Sequence, residues 1–440
     1  MNFDAVKSPP DINPKKLSSM TTEVSDCSTK CRFCLSELET TFVDLGMTPL
    51  SNDYTKPETF NRSQRFYPLT PYVCARCFLV QLPEYETPDF IFSDYAYFSS
   101  YSPSWLEHCR AYVKAVIERF SLTGENHVVE VASNDGYLLQ YFQERTIPVL
   151  GIEPAKNVAA AAVEKGIPTL AEFFGAELAR KLEGEGKQAD LIIGNNVLAH
   201  VPDLNDFVSG LKVLLKPGGV ITMEFPHLVR LIKEKQFDTI YHEHFSYLSL
   251  TTVEEVLASK GLRVFDVEEL NTHGGSLRIY AAHAADDSKE ASRRLRGLEQ
   301  REDEFGIRQL ATYRDFAREV YRVKRQLLEL LVKIKNSNAR IAGYGAAAKG
   351  NTLLNFCGIG TDFLDYVVDR SPHKQGLYLP GTRIPIREPE LLERDRPEYV
   401  MILPWNLKDE IMEQLAFVRK WGGKFIIPIP EAKVVRGLIE

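Results

Sequence analysis

The segment YHEHF, at residues 241–245, places four polar or ionisable side chains next to one another. Tyr241, Glu243 and the two histidines could line a pocket and transfer protons, because histidine gains or loses its charge near neutral pH. Alternatively, His242 and His244 lie on one face of an extended chain and could bind a metal ion. The residue types indicate a reactive segment and leave both kinds of chemistry open.

A third histidine, His200, follows a strand-like run over 189–196 that ends in Asn195 and Asn196. The carboxyl ends of parallel strands face the crevice in which α/β proteins bind their ligands. These side chains are therefore candidates for binding or catalysis. For His200 taken alone, a helix cap or a core position is an equally good explanation.

Two CxxC pairs, Cys31 with Cys34 and Cys74 with Cys77, have the spacing of zinc ligands. Each pair presents two sulfurs on one side of a tight turn, and two such turns complete a tetrahedral site. Cys27 is a possible substitute ligand, and core thiols are the alternative explanation for the set. Four thiolates leave no open coordination position, so we expect the zinc to be structural.

The strand-like run VVEVAS, at 128–133, continues into Asn134, Asp135 and Gly136 and then into a helix. A small residue at such a turn lets the backbone approach a ligand. The next run, VLGIEP, places Glu153 where an acidic side chain can bind a ribose diol. With the polar end of 189–196 and a later PGG turn, this order resembles the class I methyltransferases that use S-adenosylmethionine (SAM). A dinucleotide-binding Rossmann domain is the alternative, although it favours GxGxxG and only one glycine follows this strand.

The predicted SAM site combines the loop, the acidic strand end and the two asparagines. Its residues are Glu130, Ala132, Ser133, Asn134, Asp135, Gly136, Glu153, Pro154, Asn195 and Asn196.

A second α/β pattern opens with RIAGYGAAAKGN from Arg340. Gly343 and Gly345 flank a predicted strand–helix turn, and the N-terminus of a helix is a natural phosphate site. Lys349 adds a positive charge there, although the spacing is not that of a P-loop. We predict that this turn binds a pyrophosphate, with a purely structural turn as the alternative. His273, in a predicted loop between strands, is a further candidate for contact with substrate.

The elements that must position these residues alternate between strand-like and helix-like runs, which predicts an α/β protein with parallel sheets. The fold class that we predict is a zinc-ribbon N-terminal domain, a Rossmann-like middle domain of the class I SAM methyltransferase type, and a second Rossmann-like domain. The predicted ranges are a disordered lead-in (1–26), the zinc domain (27–110), the SAM-binding domain (111–285), a helical connector (286–337) and the C-terminal domain (338–440).

Composition narrows the class of protein. A chain of 440 residues is too long for one core of ordinary size, and a net charge of −7 argues against a nucleic acid polymer as partner. No run approaches the roughly 18 apolar residues of a membrane-spanning helix, and the N-terminus lacks the apolar core of a signal peptide. We therefore predict a cytoplasmic protein without a membrane partner, for which a monomer is plausible. In that compartment, cysteines are metal ligands or core thiols more often than disulfides.

Several motifs occur together in one order: the two CxxC pairs, DYAYFSSYS, EVASNDG, GIEPAKNVA, NNVLAHVPD, YHEHFSY, THGGSLR and GYGAAAKGNTLLN. This series, over about residues 27–430, resembles the three-domain sugar C-methyltransferases of deoxysugar biosynthesis. The resemblance implies zinc, SAM and a nucleotide-diphosphate sugar as ligands. It also implies methylation of a 4-keto-6-deoxysugar at C-3, with the substrate between the domains. The predicted substrate-binding residues are Gly345, Lys349, Asn351 and His273.

The resemblance further implies that His244 is the catalytic base and that His242 is a variable filler. The implied companions of the base are Tyr241, Glu243, His200 and Tyr95, with Tyr97 and Tyr101 as close rivals of Tyr95. The chemistry agrees, because a ketone acidifies the neighbouring C–H bond and a base must remove that proton. O-methylation of a sugar or small metabolite and a non-catalytic SAM-binding scaffold are the alternatives.

Overall fold

The computed structural model describes residues 30–87, 90, 99–101 and 103–436. The predicted lead-in over 1–26 lies outside the described residues, and so do Cys27, Tyr95 and Tyr97.

The N-terminal unit contains a four-stranded antiparallel sheet whose last strand comes from a distant part of the chain. Its strands, in the order β1-β4-β5-β11, are β1 (Thr40–Thr41), β4 (Tyr72–Val73), β5 (Val80–Gln81) and β11 (Ser246–Tyr247). A second pair joins β2 (Met47–Thr48) to β3 (Tyr67–Pro68). Because β11 directly follows the YHEHF motif, the reactive segment is attached to the N-terminal sheet.

The middle unit is built on a seven-stranded sheet with the order β12-β13-β10-β9-β6-β7-β8. Its strands are β6 (Val128–Val131), β7 (Val149–Ile152), β8 (Thr169–Leu170), β9 (Ala189–Asn195), β10 (Leu215–Pro226), β12 (Leu262–Leu270) and β13 (Ser276–His283). Strand β13 runs antiparallel to both of its neighbours, β10 and β12, and the other adjacent pairs in this sheet are parallel. The central strands β6 and β7 are buried at every position, as expected for parallel strands covered on both faces.

Helices cover this sheet and connect its strands. They are α1 (Pro103–Phe120), α2 (Leu139–Gln143), α3 (Lys156–Glu164), α4 (Ala176–Gly184), α5 (Leu204–Leu214), α6 (Leu228–Lys233) and α7 (Leu250–Ala258). Helix α5 begins where the Asp203 side chain accepts a hydrogen bond from the Asp206 amide, and α7 begins where Ser249 accepts one from Thr252. Short 3-10 turns hold several residues discussed below: Leu198–His200, Phe237–Thr239, Thr272–Gly274 and Trp405–Leu407. Further short turns are Pro57–Thr59, Ser99–Tyr101 and Ala416–Trp421.

The predicted helical connector forms two helices, α8 (Arg293–Phe305) and α9 (Leu310–Lys335). Helix α8 ends at Gly306, whose φ of 82° is the left-handed conformation that glycine adopts most easily. Helix α9 buries an apolar face at three- and four-residue spacing. On that face Phe316 stacks on Phe42 of the N-terminal unit, with ring centroids 4.5 Å apart.

The C-terminal unit is a six-stranded sheet with the order β16-β15-β14-β17-β18-β19, parallel except for β19. Its strands are β14 (Ile341–Tyr344), β15 (Tyr366–Val368), β16 (Ile386–Arg387), β17 (Tyr399–Ile402), β18 (Lys424–Ile427) and β19 (Lys433–Val435). Its helices are α10 (Ala348–Cys357), α11 (Leu391–Asp395) and α12 (Lys408–Gln414).

The three units share buried side chains. One continuous apolar cluster includes Phe42 of the N-terminal unit, Phe237 of the middle unit, Phe316 of α9 and Ile402 of the C-terminal sheet. The segment that carries the YHEHF motif runs beside this shared core. None of the helices within the described ranges is long and apolar enough to cross a membrane.

Candidate active site

The four predicted zinc ligands lie together at the edge of the N-terminal sheet. The sulfurs of Cys31, Cys34, Cys74 and Cys77 are all within 4.8 Å of one another. Two sulfur–sulfur distances, from Cys31 to Cys77 and from Cys34 to Cys74, are 3.5 Å. Ligands about 2.3 Å from a tetrahedral zinc ion lie roughly 3.8 Å apart, so this set fits zinc.

The loop after β6 has the backbone of a glycine-rich turn with only one glycine. Ala132, Asn134 and Gly136 have φ values of 56°, 48° and 74°, so every second residue is left-handed. Asparagine tolerates this conformation, whereas alanine is strained in it by about 1 kcal/mol or more. The sequence shows only one glycine here, yet three residues of the loop adopt the left-handed conformation that glycine adopts most easily.

Glu153, at the end of β7, braces that loop. One carboxylate oxygen accepts the Asn134 amide at 3.0 Å and the other accepts the Ala155 amide at 2.9 Å. Burial raises the pKa of Glu153. A carboxylate offers about four lone-pair sites, so two oxygens with one bond each can still accept bonds from a diol.

Several buried polar atoms around the loop have no hydrogen-bond partner among the described residues. They are the hydroxyl of Ser133, Oδ1 of Asp135, both amide atoms of Asn195 and Oδ1 of Asn196. Glu130 is fully buried on β6, which raises its pKa well above its usual range. Pro154 stands between Glu153 and Ala155 at the same edge. Unsatisfied buried groups are costly, and their concentration here suits a polar, cationic ligand such as SAM.

Asp135 is also tied to groups that the sequence did not single out. Its Oδ2 is 2.8 Å from Nζ of Lys165 and accepts a hydrogen bond from Ser100. Ser99 donates its backbone amide to Asn134 at 2.9 Å. The segment that follows the DYAYF motif therefore packs directly on the loop.

His244 lies beside the 3-10 turn Phe237–Thr239. Its Nδ1 is 2.9 Å from the carbonyl oxygen of Thr239. A carbonyl only accepts, so Nδ1 carries the proton and Nε2 is the unprotonated nitrogen of the neutral ring. Burial, followed by the nearby His200, lowers the pKa of His244 well below its usual range. The imidazole is thus held neutral at neutral pH, with one defined basic nitrogen.

Two predicted companions pack against this ring. The centroids of His200 and Tyr241 are 4.6 Å and 4.0 Å from that of His244. His200 donates Nδ1–H to the carbonyl oxygen of Glu243 at 2.7 Å, and burial lowers the pKa of His200 to about 4. The structure therefore brings His200, Tyr241 and His244 together.

Glu243 points away from these rings toward the N-terminal unit. Its carboxylate accepts a hydrogen bond from the side-chain amide of Asn52 at 2.7 Å. Burial raises the pKa of Glu243 to about 7. Sequence reasoning missed Asn52, because no motif marks it and the contact spans 191 residues.

His242 occupies a different environment from His244. Its Nε2 donates to the carbonyl of Pro68 at 3.1 Å, and its ring packs edge-on against Tyr67 and Tyr85. Within the described part of the chain, the four cysteines are the only group of side chains arranged for a metal ion. His242 and His244 therefore do not form a second metal site among the described residues.

His273 lies in the predicted loop, between β12 and β13. Its Nε2 accepts a hydrogen bond from the amide of Asn196 at 3.1 Å, and its ring is 5.3 Å from that of Trp105. The side chain of His273 is exposed. Nζ of Lys349, in the C-terminal unit, lies 5.4 Å from the ring centroid of Trp405, whose indole contacts Asp238 of the middle unit.

The glycine turn of the C-terminal unit faces the N-terminal unit. Gly345 has a φ of 90°, and a Cβ atom there would lie 2.5 Å from Pro404. Lys349 donates to Oδ1 of Asn406 at 2.8 Å. Asn351 is buried, and its amide donates to the carbonyl of Ser51 at 2.6 Å. Lys349 thus stands at the junction of the units, while Asn351 ties two of them together.

A buried contact behind His244 was not predicted. The indole of Trp405 donates to Oδ2 of Asp238 at 2.7 Å. Asp238 directly precedes Thr239, whose carbonyl orients His244. Within the motif-free segment FDTI, nothing in the sequence distinguishes this aspartate from a surface one.

Comparisons with known proteins cover almost the whole chain. Family models match residues 31–92 ("Putative zinc binding domain"), 105–267 ("Methyltransferase domain") and 271–430 ("C-methyltransferase C-terminal domain"). The C-methyltransferase NovU of Streptomyces niveus is 38% identical over 406 residues, which are 92% of this chain and 96% of that protein.

Two further similarities are confined to part of the chain. The mitochondrial ubiquinone biosynthesis O-methyltransferase of Homo sapiens is 25% identical over 152 residues, which are 31% of this chain and 41% of that protein. The magnesium protoporphyrin IX methyltransferase ChlM from Synechocystis PCC 6803, solved with bound SAM, is 14% identical, with a TM-score of 0.31. That match covers 40% of this chain and 79% of the ChlM chain.

Proposed function

The chain belongs to a family of SAM-dependent C-methyltransferases, and from this premise we propose that it methylates C-3 of a nucleotide-linked 4-keto-6-deoxysugar. Family membership confirms the resemblance read from the motifs, the zinc-binding and methyltransferase units, and SAM and zinc as cofactors. The sugar, its nucleotide, the position of methylation and the residue roles are the proposed part.

The observation that carries the proposal is the state of His244. Its Nδ1–H is bound to Thr239, its Nε2 is the basic nitrogen, and burial keeps the ring neutral. A C–H bond beside a ketone needs such a base, whereas an amine nucleophile does not. His244 Nε2 takes the C-3 proton, and the electron pair of the C–H bond moves toward the C-4 ketone to give an enolate.

The negative charge on the enolate oxygen must be stabilised where it develops. Tyr241 and His200 flank His244 and are the polar side chains that we assign to orienting the sugar and this oxygen. We assign Tyr95 to the same task from its motif alone. We assign Glu243 an indirect role, because its carboxylate binds Asn52 and its backbone carbonyl orients His200.

We assign SAM to the loop Ala132–Gly136, Glu130, Glu153, Pro154, Asn195 and Asn196. The orphaned polar atoms at this sheet edge support the assignment, as does the loop backbone. Bound SAM would supply an electrophilic methyl group to C-3 of the enolate, and it would leave as S-adenosylhomocysteine once the bond from that methyl group to sulfur is broken. We assign the nucleotide diphosphate to the turn at Gly345, with Lys349, Asn351 and His273 beside it.

The test uses a nucleotide-linked 4-keto-6-deoxysugar with deuterium at C-3. Wild-type protein with SAM is expected to add one methyl group to carbon and to release the deuterium, as read by mass spectrometry and NMR. His244→Asn is expected to lose about 10²- to 10⁴-fold in rate, the usual range for a lost general base, with SAM affinity retained.

The matched control is His242→Asn, two residues away and facing Pro68. It should keep the exchange of deuterium. Exchange at the wild-type rate in His244→Asn would assign the base to another group, with Tyr241 or His200 next. A methyl group found on oxygen would replace C-methylation of this substrate by the O-methylation alternative.

A further inference from the structure

Arg32, the residue after the first zinc ligand, reaches out of the N-terminal unit. Its two terminal nitrogens donate to the carbonyl oxygens of Pro202 and Leu82, each at 2.6 Å. The guanidinium carbon lies 5.3 Å from the ring centroid of Phe245. One side chain thereby touches the segment after His200 and the residue after His244.

One of the two residues that Arg32 binds, Leu82, is an end of a short backbone ladder, and the other, Pro202, lies three residues after its opposite end, Ala199. The amide of Leu82 donates to the carbonyl of Phe245 at 3.0 Å, and the amide of Phe245 donates to the carbonyl of Ala199 at 2.8 Å. Ala199 precedes His200, and Phe245 follows His244. The ladder therefore fixes the separation of the two histidines, and Arg32 closes it from Leu82 across to Pro202.

The backbone around Arg32 is fixed by hydrogen bonds to neighbouring elements. Its backbone amide donates to Oε1 of Gln81 at 2.8 Å, and Nε2 of Gln81 donates to the sulfur of Cys31 at 3.1 Å. On the other side, the side chain of Asn205 donates to the carbonyl of Phe33 at 3.0 Å. The first CxxC turn is thus fixed to both β5 and helix α5.

We propose that Arg32 is a positioning residue for methyl transfer: its forked guanidinium couples the zinc-binding turn to the segments that carry His200 and His244. This inference rests on the proposed role of His244 as the base. A zinc ribbon that served only to fold the N-terminal unit would not need an arginine whose side chain reaches into the two histidine segments.

We expect arginine to be required because one side chain must bind two carbonyl oxygens at once. Its planar group presents two nitrogens in a fixed fork and stacks on an aromatic ring, whereas lysine is a flexible point charge. Lysine carries its three donors on one nitrogen, so it cannot hold both carbonyls and the contact with Phe245 in the geometry that the fork imposes.

The experiment compares Arg32→Lys with Arg76→Lys. Arg76 is the matched control, because it lies between the other two zinc ligands with its side chain exposed. Each protein is measured for bound zinc, for SAM affinity by calorimetry, for kcat and KM, and for the tautomer of His244 by ¹⁵N-histidine NMR. The His244 signal is assigned by its loss in His244→Asn.

Arg32→Lys is expected to keep its zinc and its SAM affinity. Its kcat should fall by about ten- to a hundred-fold with KM little changed, since a misplacement of about 1 Å can cost that much. The Nδ1–H signature of His244 should broaden or shift. Arg76→Lys should match wild type in every measurement.

Wild-type kcat in Arg32→Lys would overturn the inference, and so would a fall in kcat that follows a loss of zinc. If Arg32→Lys does not fold, Arg32→Met keeps the packing on Phe245 and removes both hydrogen bonds, and the same criteria apply. If the proposed function is wrong, the wild-type protein itself will not methylate the sugar. The NMR signal of His244 would still show whether Arg32 positions that ring, so the two failures can be told apart.

Discussion

At the scale of the residue, Glu243 is a buried carboxyl group whose ionisation reduces the stability of the folded protein. It is buried with one hydrogen-bond donor, Asn52, and its pKa of about 7 lies above the ordinary 4.5. The folded protein therefore binds this proton more tightly than the unfolded chain does. The contribution of Glu243 to stability falls as pH rises from about 4.5 to about 7, and the full penalty remains above that range.

Glu243→Gln should consequently melt at a higher temperature than wild type at pH 8, with a much smaller difference near pH 5. The expected gain at pH 8 is at most roughly 3 kcal/mol, and the amide oxygen can still accept from Asn52. Thermal unfolding at the two pH values measures it. Glu58→Gln, at an exposed position, serves as the control and should show no such difference. An equal melting temperature for Glu243→Gln and wild type at pH 8 would mean that the buried carboxylate carries no penalty.

Residues with a pattern were predictable, and residues defined only by distant contacts were not. The four cysteines were found because zinc demands their type and spacing, and the structure gathers them. Asn52 and Arg32 act on segments 191 and 170 positions away in the chain. An asparagine or arginine in a loop looks the same in sequence whether its side chain meets only solvent or is hydrogen-bonded to a distant segment.

At the scale of the element, the strands of both parallel sheets were predictable because continuous apolar runs are buried on both faces. Strand β11 was not predicted, because it has only two residues and therefore no alternation of apolar and polar residues. The helical connector predicted over 286–337 consists of two helices, one on either side of Gly306. Short strands depend on their pairing partners, which lie elsewhere in the sequence.

Because β11 pairs with β5 beside the CxxC turns, we expect the loss of zinc to affect β11 as well. We expect about one structural zinc per chain, and Cys34→Ser should lose it. Loss of the metal should then raise amide hydrogen exchange in the CxxC turns and also at 245–248, because Leu82 and Phe245 are bonded.

Hydrogen–deuterium exchange read by mass spectrometry, with metal analysis, provides the measurement. Cys109→Ser is the matched control, since that thiol is buried in α1 far from the cluster in sequence and should leave the zinc in place. Protection at 245–248 that survives the loss of zinc would show that β11 does not depend on the metal site.

At the scale of the whole molecule, the units predicted from sequence share one apolar cluster. Phe42, Phe237, Phe316 and Ile402 come from four stretches of the chain and belong to the same core. Ties such as Asn351 to Ser51 and Trp405 to Asp238 reinforce the junction. Periodicity shows which face of a helix is apolar, but it does not show which unit covers that face.

This shared core predicts cooperative unfolding. Calorimetry should show one main thermal transition. SAM at a hundred times its dissociation constant should raise the temperature of the whole transition, because its binding stabilises the folded state by about 2.7 kcal/mol. Two well-separated transitions, with only one moved by SAM, would mean that the units unfold independently. Adenosine at the same concentration, which lacks the methionine part, is the control ligand and should produce a smaller shift.

Strand β11 is synthesised long after β5, the strand with which it pairs. The zinc turns and strands up to Gln81 leave the ribosome first, but their sheet stays one strand short until Ser246 and Tyr247 have been made. At about 5–20 residues per second, this interval is roughly 8–33 s. During it, the open edge of β5 is available to chaperones or to β5 of a neighbouring nascent chain. Translation through the methyltransferase unit thus sets the moment at which the first part of the protein can close.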